Sequence, residues 1–154
     1  MCSSDLERPA TEYLQKVLAA EGIETRIFAV NQNRPNLVAR LKGSGKKRPI
    51  LIMGHTDTVN VDPKKWIHPP YGAVRSGGHV YGRGTLDDKD NVVGALMTML
   101  LLKRSGVALD RDVIFLAESG EEGHTRVGIQ YMVGAHYNEI EAEYCLDRKS
   151  TRLN

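Results

Sequence analysis

Three short stretches of the chain place one imidazole and several carboxylates where apolar segments end: Met53-Gly54-His55-Thr56-Asp57-Thr58, Tyr81-Gly82-Arg83-Gly84-Thr85-Leu86-Asp87-Asp88-Lys89 and Glu118-Ser119-Gly120-Glu121-Glu122-Gly123. One His, one Asp and one Glu make a ligand set for a pair of divalent cations. A second carboxylate beside the ligand Glu can serve as a general base, so the ordered set reads as a two-metal hydrolase site.

Each motif has a plainer reading beside the chemical one. Asp57, two residues beyond His55 on an extended backbone, points to the same side and is placed to hydrogen-bond the second ring nitrogen, fixing the tautomer and raising ligand basicity. The same His-x-Asp pattern also serves as a polar cap at a strand end. Asp87 follows Gly82-Arg83-Gly84, whose glycines allow a tight turn, and it suits either a bridging carboxylate or a helix N-cap. Glu121 and Glu122 are adjacent like charges, which repel unless cations or solvent stabilise them. They fit a solvated turn, or a pair in which one carboxylate binds metal and the other faces an attacking water. Nucleotide binding is not supported: Gly82-Arg83-Gly84-Thr85-Leu86-Asp87 lacks a third glycine and Gly45-Lys46-Lys47 lacks the Ser or Thr of a P-loop. His68, His79, His124 and His136 end no buried strand and read as surface or supporting residues.

Elements of the right kind surround these motifs. Arg8 to Glu21 has helical apolar spacing through Tyr13, Leu14, Val17, Leu18 and Ala20, with Gly22 as a stop. Ile23 to Val30 and Asn36 to Leu41 alternate across the turn formers Asn31 to Pro35, which suggests two antiparallel strands. Pro49 to Met53 is a continuous apolar run expected to be a strand buried on both faces, delivering His55 to a crevice at its C-terminal end. Val59 to Gly78 reads as a long loop with Trp66, Pro69, Pro70 and Tyr71 packed over other residues. Asp88 to Arg104 makes a wide apolar helical stripe closed by Ser105-Gly106. Asp112 to Ala117 is a second buried strand, Arg126 to Ala135 a helix, and Glu143 to Leu146 a third buried strand. This alternation predicts an α/β fold: a mixed, largely parallel sheet with helices on both faces.

With 154 residues, 41 % hydrophobic and 26 % charged, the composition is that of one globular unit. A net charge of +2, with Arg148, Lys149 and Arg152 at the C-terminal end, argues against nucleic acid. Cys2 and Cys145 form no ligand or disulfide pattern and read as a terminal thiol and a strand-core thiol. No apolar run reaches the roughly 20 residues of a membrane span and residues 1–10 hold no signal-type apolar core, so no membrane partner is expected. Localisation is not fixed by the sequence: it is cytoplasmic by default, and a trimmed start would hide a signal.

The order and spacing of Gly54-His55-Thr56-Asp57-Thr58-Val59, Trp66 with Pro69-Pro70-Tyr71-Gly72, Tyr81-Gly82-Arg83-Gly84-Thr85-Leu86-Asp87-Asp88-Lys89 and Glu121-Glu122-Gly123 resemble the M20 family of metallopeptidases and deacylases, with a zinc exopeptidase-like fold. That family includes carboxypeptidase G2, aminoacylase-1, acetylornithine deacetylase, succinyl-diaminopimelate desuccinylase and carboxypeptidase S. The likeness runs from about Glu7 to Leu146 and is nearest the carboxypeptidase S-like branch. It implies that His55 binds one zinc, Asp87 bridges two, Glu122 binds the other, Asp57 orients His55 and Glu121 is the general acid/base. It also implies a cis peptide after Asp87. Two divalent cations are expected, Zn2+ first with Co2+ or Mn2+ as alternatives. A water bridging them would lose its proton to Glu121 and attack the amide carbonyl of a small peptide or N-acyl amino acid.

The chain also departs from the pattern. Family members carry a further acidic ligand after the strand represented by Glu143 to Leu146; here Leu146-Asp147-Arg148-Lys149 leaves Asp147 as either that ligand or its neighbour. The expected organisation is an incomplete, truncated catalytic domain over residues 7–147, with 1–6 and 148–154 as non-native, adapter-like ends. The lid and dimerisation domain, through which a parent homodimer would form, is expected to be absent and the fragment inactive. The rivals are a non-catalytic binding domain that retains the fold, or an aminopeptidase of a related zinc fold.

Overall fold

The structure is a computed structural model that describes residues 7–147. The two ends, and with them the expectation that they are non-native, lie outside the described residues. The N-terminal apolar spacing forms helix α1 (Arg8–Ala20), which buries Leu14 and Leu18. Strands β1 (Thr25–Phe28) and β2 (Asn36–Leu41) pair antiparallel, as the alternation predicts. The two apolar runs become β3 (Ile50–His55) and β6 (Val113–Glu118), joined by a loop and by helix α2 (Lys89–Ser105). Within that loop lies a hairpin, β4 (Val74–Ser76) and β5 (His79–Tyr81), absent from the sequence expectation. Its turn is Gly77-Gly78, with φ of 56° and 80°, the left-handed pair that tight hairpin turns require. Helices α3 (Ile129–Ala135) and α4 (Tyr137–Ile140) then lead to β7 (Tyr144–Asp147).

The sheet order is β1-β2-β6-β3-β7, with β6, β3 and β7 parallel and β2 antiparallel to both its neighbours. Four of the five strands therefore point the same way, which is the mixed, largely parallel α/β sheet expected. Strand periodicity of two divides the core. Phe115, Val113, Ala117, Leu37 and Ala39 pack with Leu14 and Leu18 of α1 and with Val92, Leu96 and Met99 of α2. Ile114, Leu116, Val38, Leu51 and Met53 pack with Met132 of α3 and Ile140 of α4. A strand such as β6 is buried at every position because both of its faces are covered.

The direction of winding places the crevice. From β3 the chain crosses by α2 on one face to reach β6; from β6 it returns by α3 and α4 on the other face to β7, on the far side of β3. Crossovers of one hand require that change of face when the direction of travel reverses. The loops leaving the C-terminal ends of β3 and β6 consequently part to opposite faces and leave a gap between them.

Several expectations are corrected. Strand β7 is exposed along its length rather than buried, with Tyr144 at 56 % and Leu146 at 49 %. Among the described residues it pairs only with β3 and sits at the sheet edge. Cys145 is accordingly exposed and not a strand-core thiol, whereas Cys2 lies outside the described residues. Helix α3 starts at Ile129, not Arg126, because Val127 and Gly128 make turn bonds back to His124 and Thr125. Of the Trp66 segment, Pro70 is buried and Trp66 packs, the Arg83 guanidinium lying 5.3 Å from the indole centroid, whereas Pro69 and Tyr71 are exposed, against expectation.

Gly54 lets α2 dock at the end of β3, since a Cβ there would lie 2.7 Å from Asp88 Oδ2 and 3.1 Å from Val92 Cγ2. Gly54→Ala should destabilise the chain by about 1–3 kcal/mol in urea unfolding, the usual range for overpacking. Stability equal to wild type would show that the start of α2 can move aside.

Candidate metal centre

His55 ends β3 directly opposite Glu118, which ends β6, so both sit at the gap between the parting loops. The backbone N–H of His55 donates to Asp88 Oδ2 at 3.1 Å, and that carboxylate also accepts from the Asn91 side chain. On the ring, Nδ1 lies 3.2 Å from the Asp57 carbonyl and 3.4 Å from Asp57 Oδ1. Nε2 lies 3.1 Å from Asp87 Oδ1 and 3.8 Å from Glu121 Oε2.

Asp57 is buried, and its two oxygens accept the consecutive backbone N–H groups of Glu121 (3.1 Å) and Glu122 (3.0 Å). This fixes the turn after β6 onto the segment after β3. Burial alone would raise the Asp57 carboxyl, but the hydrogen bonds from His55 and from the Glu122 and Glu121 N–H groups hold it below the usual carboxylate range. Burial alone would likewise lower the His55 imidazole. The hydrogen bond and charge of Asp57, with the charges of Asp88 and Glu121, outweigh it and raise the ring to about 9.

The five residues singled out from the sequence, His55, Asp57, Asp87, Glu121 and Glu122, are all brought together. His55, Glu121 and Glu122 each offer a ligand atom within 4.8 Å of the others. Asp87 touches His55 Nε2 and, after burial, its charge is the main influence raising the Glu122 carboxyl. The peptide bond between Asp87 and Asp88 is cis. Asp87 is not an N-cap: Asp88 precedes α2 and makes no side-chain cap bond. Crowded carboxylates around one imidazole suit a metal cation, whose positive charge would offset their mutual repulsion. Asp147 ends β7 beside Met53 and does not join the group of three, although its charge reaches Glu118. Of the other histidines, His136 bonds Tyr131 and packs on Phe28, while His68 packs on Tyr81.

Sequence reasoning missed two acids here. Asp88 holds the end of β3, and its only signal was adjacency to Asp87. Glu118 is buried at 3 % exposure, and its Oε2 has no hydrogen-bond partner among the described residues. Burial pushes its carboxyl up to about 7; the charge of His55 opposes this, and those of Asp57, Asp147 and Glu121 add to it. A Glu closing the otherwise apolar run Val113 to Ala117 was the available signal, and its register with His55 came only from the fold.

Comparisons with known proteins identify a family and a fold. Peptidase family M20/M25/M40 matches residues 51–152. A probable succinyl-diaminopimelate desuccinylase of Staphylococcus epidermidis is 37 % identical over 121 residues, 77 % of this chain and 29 % of that protein. The chain thus spans less than a third of that relative's length. An M20 family metallo-carboxypeptidase from Sulfolobus solfataricus superposes with a TM-score of 0.75 at 24 % identity, over 92 % of this chain and 31 % of that one. A dinuclear metal binding peptidase of the M20 family from Bacillus subtilis superposes with a TM-score of 0.63 at 22 % identity, over 90 % of this chain and 36 % of that one. At these identities the two structures show a shared fold.

In the metal-free folded chain, Glu118 and His55 keep protons that the unfolded chain has already released. Stability should therefore fall as pH rises, between 4.5 and about 7 for Glu118 and between 6.5 and about 9 for His55. Glu118→Gln should flatten the acidic part of that slope, which amounts to on the order of 2–3 kcal/mol. Urea unfolding of both proteins in a chelator from pH 5 to 9 measures it. A wild-type curve that rises with pH over this range would contradict the assignment.

Proposed function

The chain belongs to peptidase family M20/M25/M40, and from that membership we propose that it carries most of a two-cation hydrolase centre that cleaves the amide bond of a peptide or an N-acyl amino acid. The observation that carries this proposal is the convergence of His55, Glu121 and Glu122 within 4.8 Å, with Asp87 against His55 Nε2. In this reading His55 would hold one cation and Glu122 the other, with Asp87 as the carboxylate shared between the two sites. Zn2+ suits the mixed imidazole and carboxylate donors best, with Co2+ and Mn2+ as substitutes. Asp147 is the candidate for a further ligand.

Bound cations would supply Lewis-acid polarisation of the substrate carbonyl and make a water easier to deprotonate. The remaining work falls to the chain's own groups. Asp57 presents His55 in one tautomer, with Nδ1 toward Asp57 and Nε2 toward the donor cluster. Glu121 is half-buried beside that cluster and is the carboxylate assigned to proton transfer. It takes the proton of the attacking water and passes it to the nitrogen of the leaving amine, so that amine and carboxylic acid depart neutralised.

The relatives' names, a desuccinylase and a carboxypeptidase, share amide hydrolysis next to an amino acid, which is the substrate class proposed here. The 154-residue chain by itself is proposed to turn over little, because the donors that converge among its described residues fall short of two full coordination spheres. A non-catalytic binding role would not need a general base kept beside the donor atoms, and Glu121 stands there.

Cobalt absorption tests the centre. Titrating Co2+ into the metal-free chain should give a weak binding curve, which His55→Ala and Glu122→Ala each weaken tenfold or more. In a longer protein containing this segment, Glu121→Gln should retain both metals and lower kcat by about 10²- to 10⁴-fold. Undiminished turnover would remove Glu121 from its proposed role.

A further inference from the structure

The sequence presents Asn31 to Pro35 as an ordinary turn between two strands, yet the turn ends on a buried charge. Arg34 is 6 % exposed at its side chain and Glu7, just before α1, is 2 % exposed. Arg34 Nε reaches the two Glu7 oxygens at 3.0 and 3.2 Å, and Nη2 reaches Glu7 Oε1 at 2.7 Å, a forked pairing. On its other side, Arg34 Nη2 lies 3.9 Å from Asp57 Oδ2. The same residue's carbonyl accepts the Ser119 hydroxyl at 2.9 Å. Two residues on, Asn36 Oδ1 accepts the Ser119 N–H at 3.0 Å, and Asn36 Nδ2 donates to the Val127 carbonyl at 2.7 Å. The turn therefore sets one positive charge beside Asp57 and holds the start of the Glu121–Glu122 loop with backbone and amide groups. The Glu7 end is itself anchored, since the Arg8 N–H donates to the Asn33 carbonyl at 3.1 Å. Lys89 adds a cation nearby, its ammonium donating to the Thr56 carbonyl at 2.8 Å.

A buried ion pair gains little stability over apolar residues of the same volume, because both charges lose their hydration. Placing this one against Asp57 has a positional use instead. Asp57 Oδ1 faces His55 and the Glu121 N–H, while Oδ2 faces the Glu122 N–H and Arg34. Without a cation on the Oδ2 side, two backbone N–H groups and the imidazole alone would set the rotation of the carboxylate.

We infer that Glu7 and Arg34 are positioning residues for the metal centre: the buried Glu7–Arg34 pair fixes the Asp57 carboxylate against His55 and the Glu121–Glu122 backbone, so that cation affinity depends on residues outside the proposed donor set. The dependence on cation affinity rests on the function proposed above; the positioning of His55 does not.

The test uses the full 154-residue chain with three variants: Arg34→Lys, which keeps the charge and loses the fork; the double variant Glu7→Gln with Arg34→Met, which removes both charges together; and Leu100→Ala, a core change remote from the site. The first readout is the pair of His55 imidazole nitrogen resonances in the metal-free chain at one fixed pH of about 10, where the ring is neutral and its tautomer is defined. The second is the Co2+ dissociation constant from absorption. The double variant should shift the His55 nitrogen resonances toward mixed tautomers and raise the Co2+ dissociation constant by about 10- to 100-fold, as loss of a ligand's supporting partner does. Arg34→Lys should fall between it and wild type, and Leu100→Ala should leave both readouts in place while lowering Tm. His55 resonances that do not move in a folded double variant overturn the inference. If the double variant does not fold, Arg34→Lys decides by the same resonances. Should the wild-type chain take up no Co2+, the metal assignment fails, and the imidazole resonances still decide whether Glu7 and Arg34 position His55.

Discussion

One buried carboxylate ties the functional half of this molecule together. Asp57 accepts the N–H groups of Glu121 and Glu122 and faces the His55 ring. The end of β3 and the turn after β6 therefore move as one piece. The donor cluster requires that coupling, because its nitrogen comes from one strand and its oxygens from the other and from the start of α2. A carboxylate accepting charge-assisted hydrogen bonds is a stiff joint, and its depressed pKa keeps it ionised through the neutral range.

The sheet makes the joint possible. Parallel β3 and β6 end level with each other, His55 opposite Glu118, and their loops leave to opposite faces, which opens the gap the side chains fill. Two apolar layers, one under α1 and α2 and one under α3 and α4, hold those strands. The site itself works against stability. Burial raises Glu118, Asp88 and Glu122, and the clustered acids repel one another. In a centre of this kind a divalent cation offsets the repulsion, so metal binding and folding are expected to reinforce each other.

Peripheral elements follow from what covers them. β7 has the apolar composition of a core strand but lies at the sheet edge, and Tyr144 and Leu146 stay exposed. Composition reports which residues tolerate burial, whereas exposure depends on which elements are present to cover them. The hairpin at Val74–Ser76 and His79–Tyr81 has strands too short for an alternation to register, although Gly77-Gly78 marked its turn.

The sequence by itself determined the element order, the two central buried strands, the long helix after the Gly-rich loop, and the five residues of the candidate site. These are local signals: hydrophobic period, breakers, and polar groups at the ends of apolar runs. Only the tertiary structure decided that Asp57 clamps two backbone amides, that Asp88 pins β3, that Glu118 is buried with its Oε2 unbonded among the described residues, and that Glu7 and Arg34 stand behind Asp57. Each of these contacts joins residues far apart in the chain, and it depends on strand register and on the face to which a loop departs. A single sequence encodes such contacts only through the packing of the whole, so residue type and spacing name the donors while the fold decides what holds them.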